Sequence, residues 1–290
     1  MIKNLFIGAA LVLLPYYIAN ATITLPWSTT FDCAEWTQCE GDPACTTVPP
    51  IDCDGVDTYL NTTTDNGSLE EIKAEGNNPI GVGKGQRHWY GDGFNDHSGG
   101  TAVTFSDGQT ELWIRWYQRY PLGFTWEDIG YGNVPHYDKL MYMFSEGKQA
   151  SVVLQLKYDE IGVWLVGSTS QNIVSANSSG WTSINGGSTG DGLFHYYEFH
   201  LKMDTNGTDG VLQVWVDGVD NLVVDRHDLD YGPQTSWFRL NIGSNNDAPY
   251  NQQDVPVDYD DIAISNTGYI GPLDSTPAHT SNISGSFTIQ

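Results

Sequence analysis

From residue 101 to residue 265, apolar and polar residues alternate in short runs, and clusters of Gly, Asn and Asp separate the runs. An extended strand turns successive side chains to opposite faces, so a period of two marks strands with one buried face. A helix would instead repeat every three to four residues. The runs at 101–105, 111–120, 139–145, 151–158, 161–168, 195–203, 210–216, 221–225, 236–242 and 258–265 follow the shorter period. Strands in that number without crossover helices predict an all-β chain, an antiparallel β-sandwich. Asp204 to Gly210 reads as a hairpin loop and Asp217-Gly218 as a tight hairpin turn. Segments 40–58, 76–100 and 170–192 are rich in Gly, Asn, Ser and Pro and read as long loops. On a sandwich such loops commonly rim the functional face.

The ends of the chain carry different signals. Residues 1–21 read as an export leader, with Lys3 at the start, an apolar run from Phe6 to Leu14, and Ala19-Asn20-Ala21 as a small-x-small cleavage pattern. No later stretch reaches the ~20 apolar residues that a membrane span needs, so the protein is expected to be secreted, extracellular or at the cell surface, without membrane insertion. Residues 22–273 are expected to form a single jelly-roll domain. The tail 274–290 is polar, and its last six residues alternate and could add an edge strand. Cys33, Cys39, Cys45 and Cys53 lie close together. In an exported chain, that even count reads as two disulfides stapling loop 33–53, with three pairings open. Zinc is disfavoured, because the cluster has no C-x-x-C spacing and no nearby histidine.

Charge narrows the partner. With 36 acidic and 12 basic residues the formal charge is −24, which repels nucleic acid and anionic membranes. Between Lys84 and Lys157, however, seven basic residues meet eight acidic ones. An anionic ligand would bind in this near-neutral span.

Several stretches together carry a family likeness. Asn78 to Gly93 (NPIGVGKGQRHWYGDG) is followed by Glu111 to Tyr120 (ELWIRWYQRY), Tyr137-Asp-Lys139 and Thr189 to His195 (TGDGLFH). Asp209 to Gly218 (DGVLQVWVDG) and Tyr259 to Ser265 (YDDIAIS) complete the series. Over roughly residues 27 to 272 the chain resembles the concanavalin A-like lectin/glucanase superfamily, in particular polysaccharide-lyase-like domains of the heparin lyase I and glucuronan/alginate lyase type. The resemblance implies a jelly roll that handles polysaccharide. It does not imply one activity, because the fold hosts lyases, hydrolases and lectins. The Gln-Ile-His strand of the alginate-lyase type is missing, as is the Glu-x-Asp-x-Glu strand of the retaining glucanases. Glu70-Glu71 and Glu127-Asp128 are adjacent pairs that would point to opposite faces of a strand, so neither forms a glycosidase pair.

β-Elimination at a uronic acid needs a cation or donor on the carboxylate, a base for the neighbouring proton, and an acid for the leaving oxygen. On 111–120 the period of two puts Trp113, Arg115, Tyr117 and Arg119 on one face and Trp116 and Gln118 on the other. Two guanidiniums beside two aromatics suit a surface that stacks sugars and grips carboxylates. Arg87-His88-Trp89 would bring His88 towards that face as a base. The expected catalytic set is His88, Tyr117, Arg115 and Tyr137, with Arg87, Trp89, Trp113, Arg119, Lys139 and His195 as substrate contacts. A plainer arrangement buries Trp116 and pairs the arginines with acids on a solvated face.

The fold resemblance also implies a structural calcium between the first and last strands, held by Asp32, Asp260 and Asp261. Three classes of function follow: a lyase acting on an anionic polysaccharide, a non-catalytic carbohydrate-binding lectin or adhesin module, and a surface or filament subunit whose self-assembly uses residues 285–290.

Overall fold

The computed structural model describes residues 22–37, 57–58, 69–81, 83–90, 97–98, 100–125, 127–128, 134–135, 138–145, 150–157, 160–165, 171–174, 190–243, 245–246 and 255–273. Thirteen strands carry the argument. They are β1 (Trp27–Thr29), β2 (Leu69–Lys73), β3 (Gly85–Tyr90), β4 (Thr101–Gln109), β5 (Glu111–Arg119), β6 (Asp138–Ser145), β7 (Ala150–Lys157), β8 (Glu160–Leu165), β9 (Phe194–Lys202), β10 (Gly210–Val216), β11 (Leu222–Leu229), β12 (Trp237–Ile242) and β13 (Val255–Ser265). The first sheet runs β11-β10-β9-β5-β13-β3-β2 and ends on Trp36–Thr37, with β1 added to β13. The second runs from Thr22–Ile23 through β4-β12-β6-β7-β8 to Gln171–Val174. The labelled strands pair antiparallel throughout, and the all-β jelly-roll sandwich expected from the sequence is the fold observed.

Both sheets contribute to one core. Leu112, Ile114 and Trp116 of β5 turn inward with Tyr197, Phe199 and Leu201 of β9, and meet Leu240, Ile242 and Trp237 of β12. Full burial of each such side chain stabilises by about 1.5–3 kcal/mol. Trp116 is completely buried, and its Nε1 donates to Gln118 Oε1 at 3.1 Å, so its one polar atom is satisfied inside the sandwich.

Two loop expectations need correction: within 170–192, Gln171–Val174 is a strand paired with β8. The segment read as a loop over 76–100 contains strand β3, and β2 precedes it. Periodicity missed both because their inward residues are polar: Glu70, Gln86 and His88 are all buried. Between these strands the turn at Ala74–Gly76 presses so close to β3 that a Cβ on Gly85 would lie 2.0 Å from the Gly76 carbonyl oxygen. Glycine at 85 thus lets the turn settle over the sheet. This approach positions the Glu75 carbonyl used below.

Residues 1–21, expected to be a leader, Cys39, Cys45, Cys53, Tyr137 and residues 274–290 lie outside the described residues. Cys33 is buried and disulfide-bonded, and its pairing lies outside them as well.

Candidate functional site

The outer face of the first sheet carries the alternate set from β5, in register with its neighbours. Arg119 pairs with Phe194 of β9 and Asp258 of β13. Tyr117 pairs with Tyr196 and Asp260, and Arg115 with Glu198 and Ala263. Trp113 pairs with His200 and stacks on its ring at 4.2 Å between centroids, while His200 bridges Glu111 and Gln213 at 2.8 Å each. The chain's own backbone divides this face into two parts.

In the first part, two arginines converge on one carboxylate. Arg87 Nε donates to Asp258 Oδ1 at 2.6 Å, and Arg119 Nε donates to Asp258 Oδ2 at 2.9 Å. Both Nη2 groups also donate to the Glu75 carbonyl, at 3.3 Å from Arg87 and 2.6 Å from Arg119. Burial by itself would lower the Arg87 pKa; Asp258, with Glu71 and Glu75 nearby, outweighs it and raises it. The Arg87 guanidinium lies 5.5 Å from the Trp89 ring, and that of Arg119 lies 4.6 Å from the Phe194 ring. Trp89 Nε1 donates to Glu71 Oε2 at 2.7 Å, and Glu71 also holds Lys73. The Asp258 side chain is 2% exposed, whereas Arg87 and Arg119 keep 15% and 25% of theirs exposed. A flat, partly open cation beside two aromatic rings can pair with a carboxylate and stack a sugar.

In the second part, the segment after β13 folds back as a strap. Tyr269 packs edge-on against Trp215 at 5.2 Å, and its hydroxyl lies 3.0 Å from that of Tyr196. Ile270 N–H and Gly271 N–H donate to the two Glu198 oxygens at 2.7 and 2.9 Å, and Tyr196 donates its hydroxyl to the same carboxylate. Arg115 Nη1 donates to the Gly271 carbonyl at 3.2 Å, and Leu273 N–H donates to the Tyr117 hydroxyl at 2.9 Å. Burial raises Glu198 against the pull of these donors, and burial raises Tyr117 too. The structure therefore turns Arg115 and Tyr117 to the face expected for them, but beneath the chain's own main chain.

His88 is corrected in placement. It points inward, away from Arg115 and Tyr117, because adjacent residues of a strand face opposite sides and Arg87 takes the outer one. There it is fully buried, with Nδ1 2.7 Å from Glu70 Oε1, while Gln86 Nε2 donates to Glu70 Oε2 at 2.8 Å. Burial raises the Glu70 carboxyl, opposed by His88. Lys139 lies on β6, in the second sheet. His195 faces inward with Tyr197 and Phe199 as the alternation predicts; Asp217 holds its Nδ1 at 2.7 Å and Asp191 its Nε2 at 3.0 Å. Burial would lower this imidazole, but the two carboxylates outweigh it and raise its pKa.

The calcium expectation meets a pair of carboxylates. Asp260 and Asp261 are adjacent, and a bulge in β13, with Asp261 at φ 49°, breaks the normal alternation between them. Asn78 joins the two, its N–H donating to Asp260 Oδ2 at 2.7 Å and its Nδ2 to Asp261 Oδ2 at 3.3 Å. Burial and repulsion from Asp261 push Asp260 up to about 8; burial also raises Asp261, opposed by Arg115, and Asp32 adds to both. Three of the pair's four oxygens already accept N–H groups. Among the described residues no three His, Cys, Asp or Glu side chains form a metal-binding group. Calcium takes six to eight oxygens, and Asp32, Asp260 and Asp261 would supply carboxylate oxygens to such an ion beside Gly81 and Gly83.

Sequence reasoning missed Asp258, Glu198, Glu70 and the strap. Alternation alone would have placed Glu198 beside Tyr196 on the outer face; nothing local marks Asp258, 171 residues from Arg87.

No family model matches the chain, and no curated protein matches it. Among solved structures, it is similar to the cellulose-induced protein Cip1, at 14% identity and a TM-score of 0.49 over 72% of this chain and 90% of that one. It is similar to a variant of the alginate lyase Aly36B in complex with an alginate tetrasaccharide, at 14% identity and a TM-score of 0.47 over 83% of this chain and 97% of that one. The marine PL-14 alginate lyase from Aplysia kurodai matches at 13% identity and a TM-score of 0.41 over 71% of this chain and 89% of that one. Likenesses this distant carry no weight for activity. What fold and face define is a jelly-roll sandwich with an arginine- and aromatic-bearing outer sheet.

Proposed function

We propose that this is an exported module that binds an acidic polysaccharide on the outer face of the first sheet, at Arg87 and Arg119 between Trp89 and Phe194. The observation that carries the reading is the sharing of one carboxylate, Asp258, by two partly exposed guanidiniums. A sugar carboxylate can complete the pairing, and the neighbouring rings offer stacking surfaces. Binding without cleavage is favoured over β-elimination: His88, the expected base, is buried on the opposite face, and Tyr117 is 5% exposed beneath the strap.

The test is titration calorimetry of the secreted protein with alginate, glucuronan, pectate and heparin beside neutral glucans, with ultraviolet absorbance followed in parallel. Binding confined to acidic polymers without a rise in absorbance is expected. Binding to neutral polymers alone, or none at all, refutes the reading. A rise in absorbance, from unsaturated products, would restore the lyase.

A further inference from the structure

We infer that Asn206, in the hairpin loop between β9 and β10, is a site of N-linked glycosylation; this rests on the export proposed above. Asn206-Gly207-Thr208 reads Asn-x-Thr with no proline between, the acceptor pattern of exported chains. The loop adds a geometry suited to the transfer. Asn206 and Thr208 are both exposed. Thr208 N–H and Thr208 Oγ1 each donate to Asn206 Oδ1 at 2.9 Å, so the side chain is turned back over its own acceptor pattern.

The reaction takes an oligosaccharide carried on a lipid diphosphate. Asn206 Nδ2 bonds to the anomeric carbon, the bond from that carbon to the phosphate oxygen breaks, the lipid diphosphate leaves with the electron pair, and Nδ2 gives up one proton. Charge then gathers on Oδ1, where two donors already point. Among the described residues no hydrogen bond occupies Nδ2, the atom that must attack.

The turn can form before the sheet closes. Asp209 accepts from Thr205 N–H and Thr205 Oγ1 at 2.6 Å each and from Asn206 N–H at 3.2 Å, and Asp204 accepts from Gly207 N–H at 2.8 Å. These partners lie within four residues of one another, so a nascent chain can pair them locally. Tyr231 N–H, which also donates to Asp204, joins from 27 residues away. The loop lies far from the proposed binding face. β9 pairs Phe194 with Arg119 and Lys202 with Glu111, and the loop follows Lys202. Eight residues at the rise of a strand put it about 27 Å from Arg119, so a bulky glycan stands clear of bound polysaccharide.

The test expresses the full-length chain in a eukaryotic secretory cell and maps peptides of the protein in the medium by mass spectrometry, after peptide N-glycosidase treatment in heavy-oxygen water. Conversion of Asn206 to labelled Asp is expected. It should be lost in Thr208→Val, which removes the hydroxyl donor, and kept in Thr208→Ser. Unmodified Asn206 in protein from the medium overturns the inference and leaves export standing. A chain held in the cytosol with residues 1–21 uncut overturns both. A glycan that persists in Thr208→Val overturns the part given to the hydroxyl. Asn206→Gln should bind an acidic polymer with wild-type affinity; a changed affinity overturns the placement of the glycan clear of the site.

Discussion

Replacing Asp260 by Asn should change how stability depends on pH. Asp260 and Asp261 are 1% and 3% exposed, and burial with mutual repulsion lifts Asp260 from an ordinary 3.8 to about 8. The folded state thus holds this proton more tightly than the unfolded chain does. The resulting stability is fully present below pH 3.8 and is lost as pH rises through about 8. At about 1.4 kcal/mol per unit, the loss from Asp260 is on the order of 5 kcal/mol. At about 2–4 °C per kcal/mol for a domain of this size, the wild type should lose on the order of 10 °C in Tm across that range from this group alone. In Asp260→Asn the Asp260 carboxylate is gone, so its share of the slope disappears and only that of buried Asp261 remains. The new amide must aim its NH2 at a backbone N–H, from Asn78 or Asp261, but that fixed cost is the same at every pH. Thermal melts of both proteins from pH 4 to 8 decide the matter: the Tm difference, variant minus wild type, should climb with pH. A flat difference means that the fold does not hold this proton on Asp260. Melts with added calcium at pH 8 test the other neutraliser: selective stabilisation of the wild type means that a cation, and not a proton, neutralises the pair.

Two further outcomes are expected. Glu70→Gln keeps an acceptor for His88 Nδ1 but turns an NH2 towards the Gln86 Nε2 donor, and this buried mismatch should cost about 1–3 kcal/mol, read as a lower denaturation midpoint. An unchanged midpoint would mean that the pair does not hold β2 to β3. His195 between Asp191 and Asp217 has a raised pKa, so its contribution is fully present below pH 6.5 and is lost as pH rises through its folded value. His195→Gln should therefore cost stability at pH 6 and much less in mildly alkaline buffer; an equal cost at both would contradict the ion-pair reading.

How far the sequence could be read depends on the distance over which each interaction acts. The period of two on 111–119 put Arg115, Tyr117 and Arg119 on one face and Trp116 on the other, because strand geometry is local. The same rule, applied to 86–89, would have separated His88 from Arg87, had the strand not been hidden by polar inward residues and glycines. Asp258 and the strap were not legible: the first meets Arg87 across 171 residues of chain, and the second returns from beyond the last strand to bury Glu198. Alternation placed the paired aspartates on the last strand, and the likeness added only the calcium expectation. The left-handed backbone at Asp261 that interrupts their alternation has no signature in a non-glycine residue.

The central claim is that Arg119 meets the carboxylate of an acidic polysaccharide. Arg119→Gln removes that charge while Arg87 still holds Asp258. Affinity for an acidic polymer, measured by calorimetry on folded protein, should fall roughly 10- to 100-fold, as expected for a lost charge-assisted hydrogen bond. The wild type should also weaken with added salt more steeply than the variant. An affinity unchanged by the substitution, in a variant that melts normally, would contradict the account.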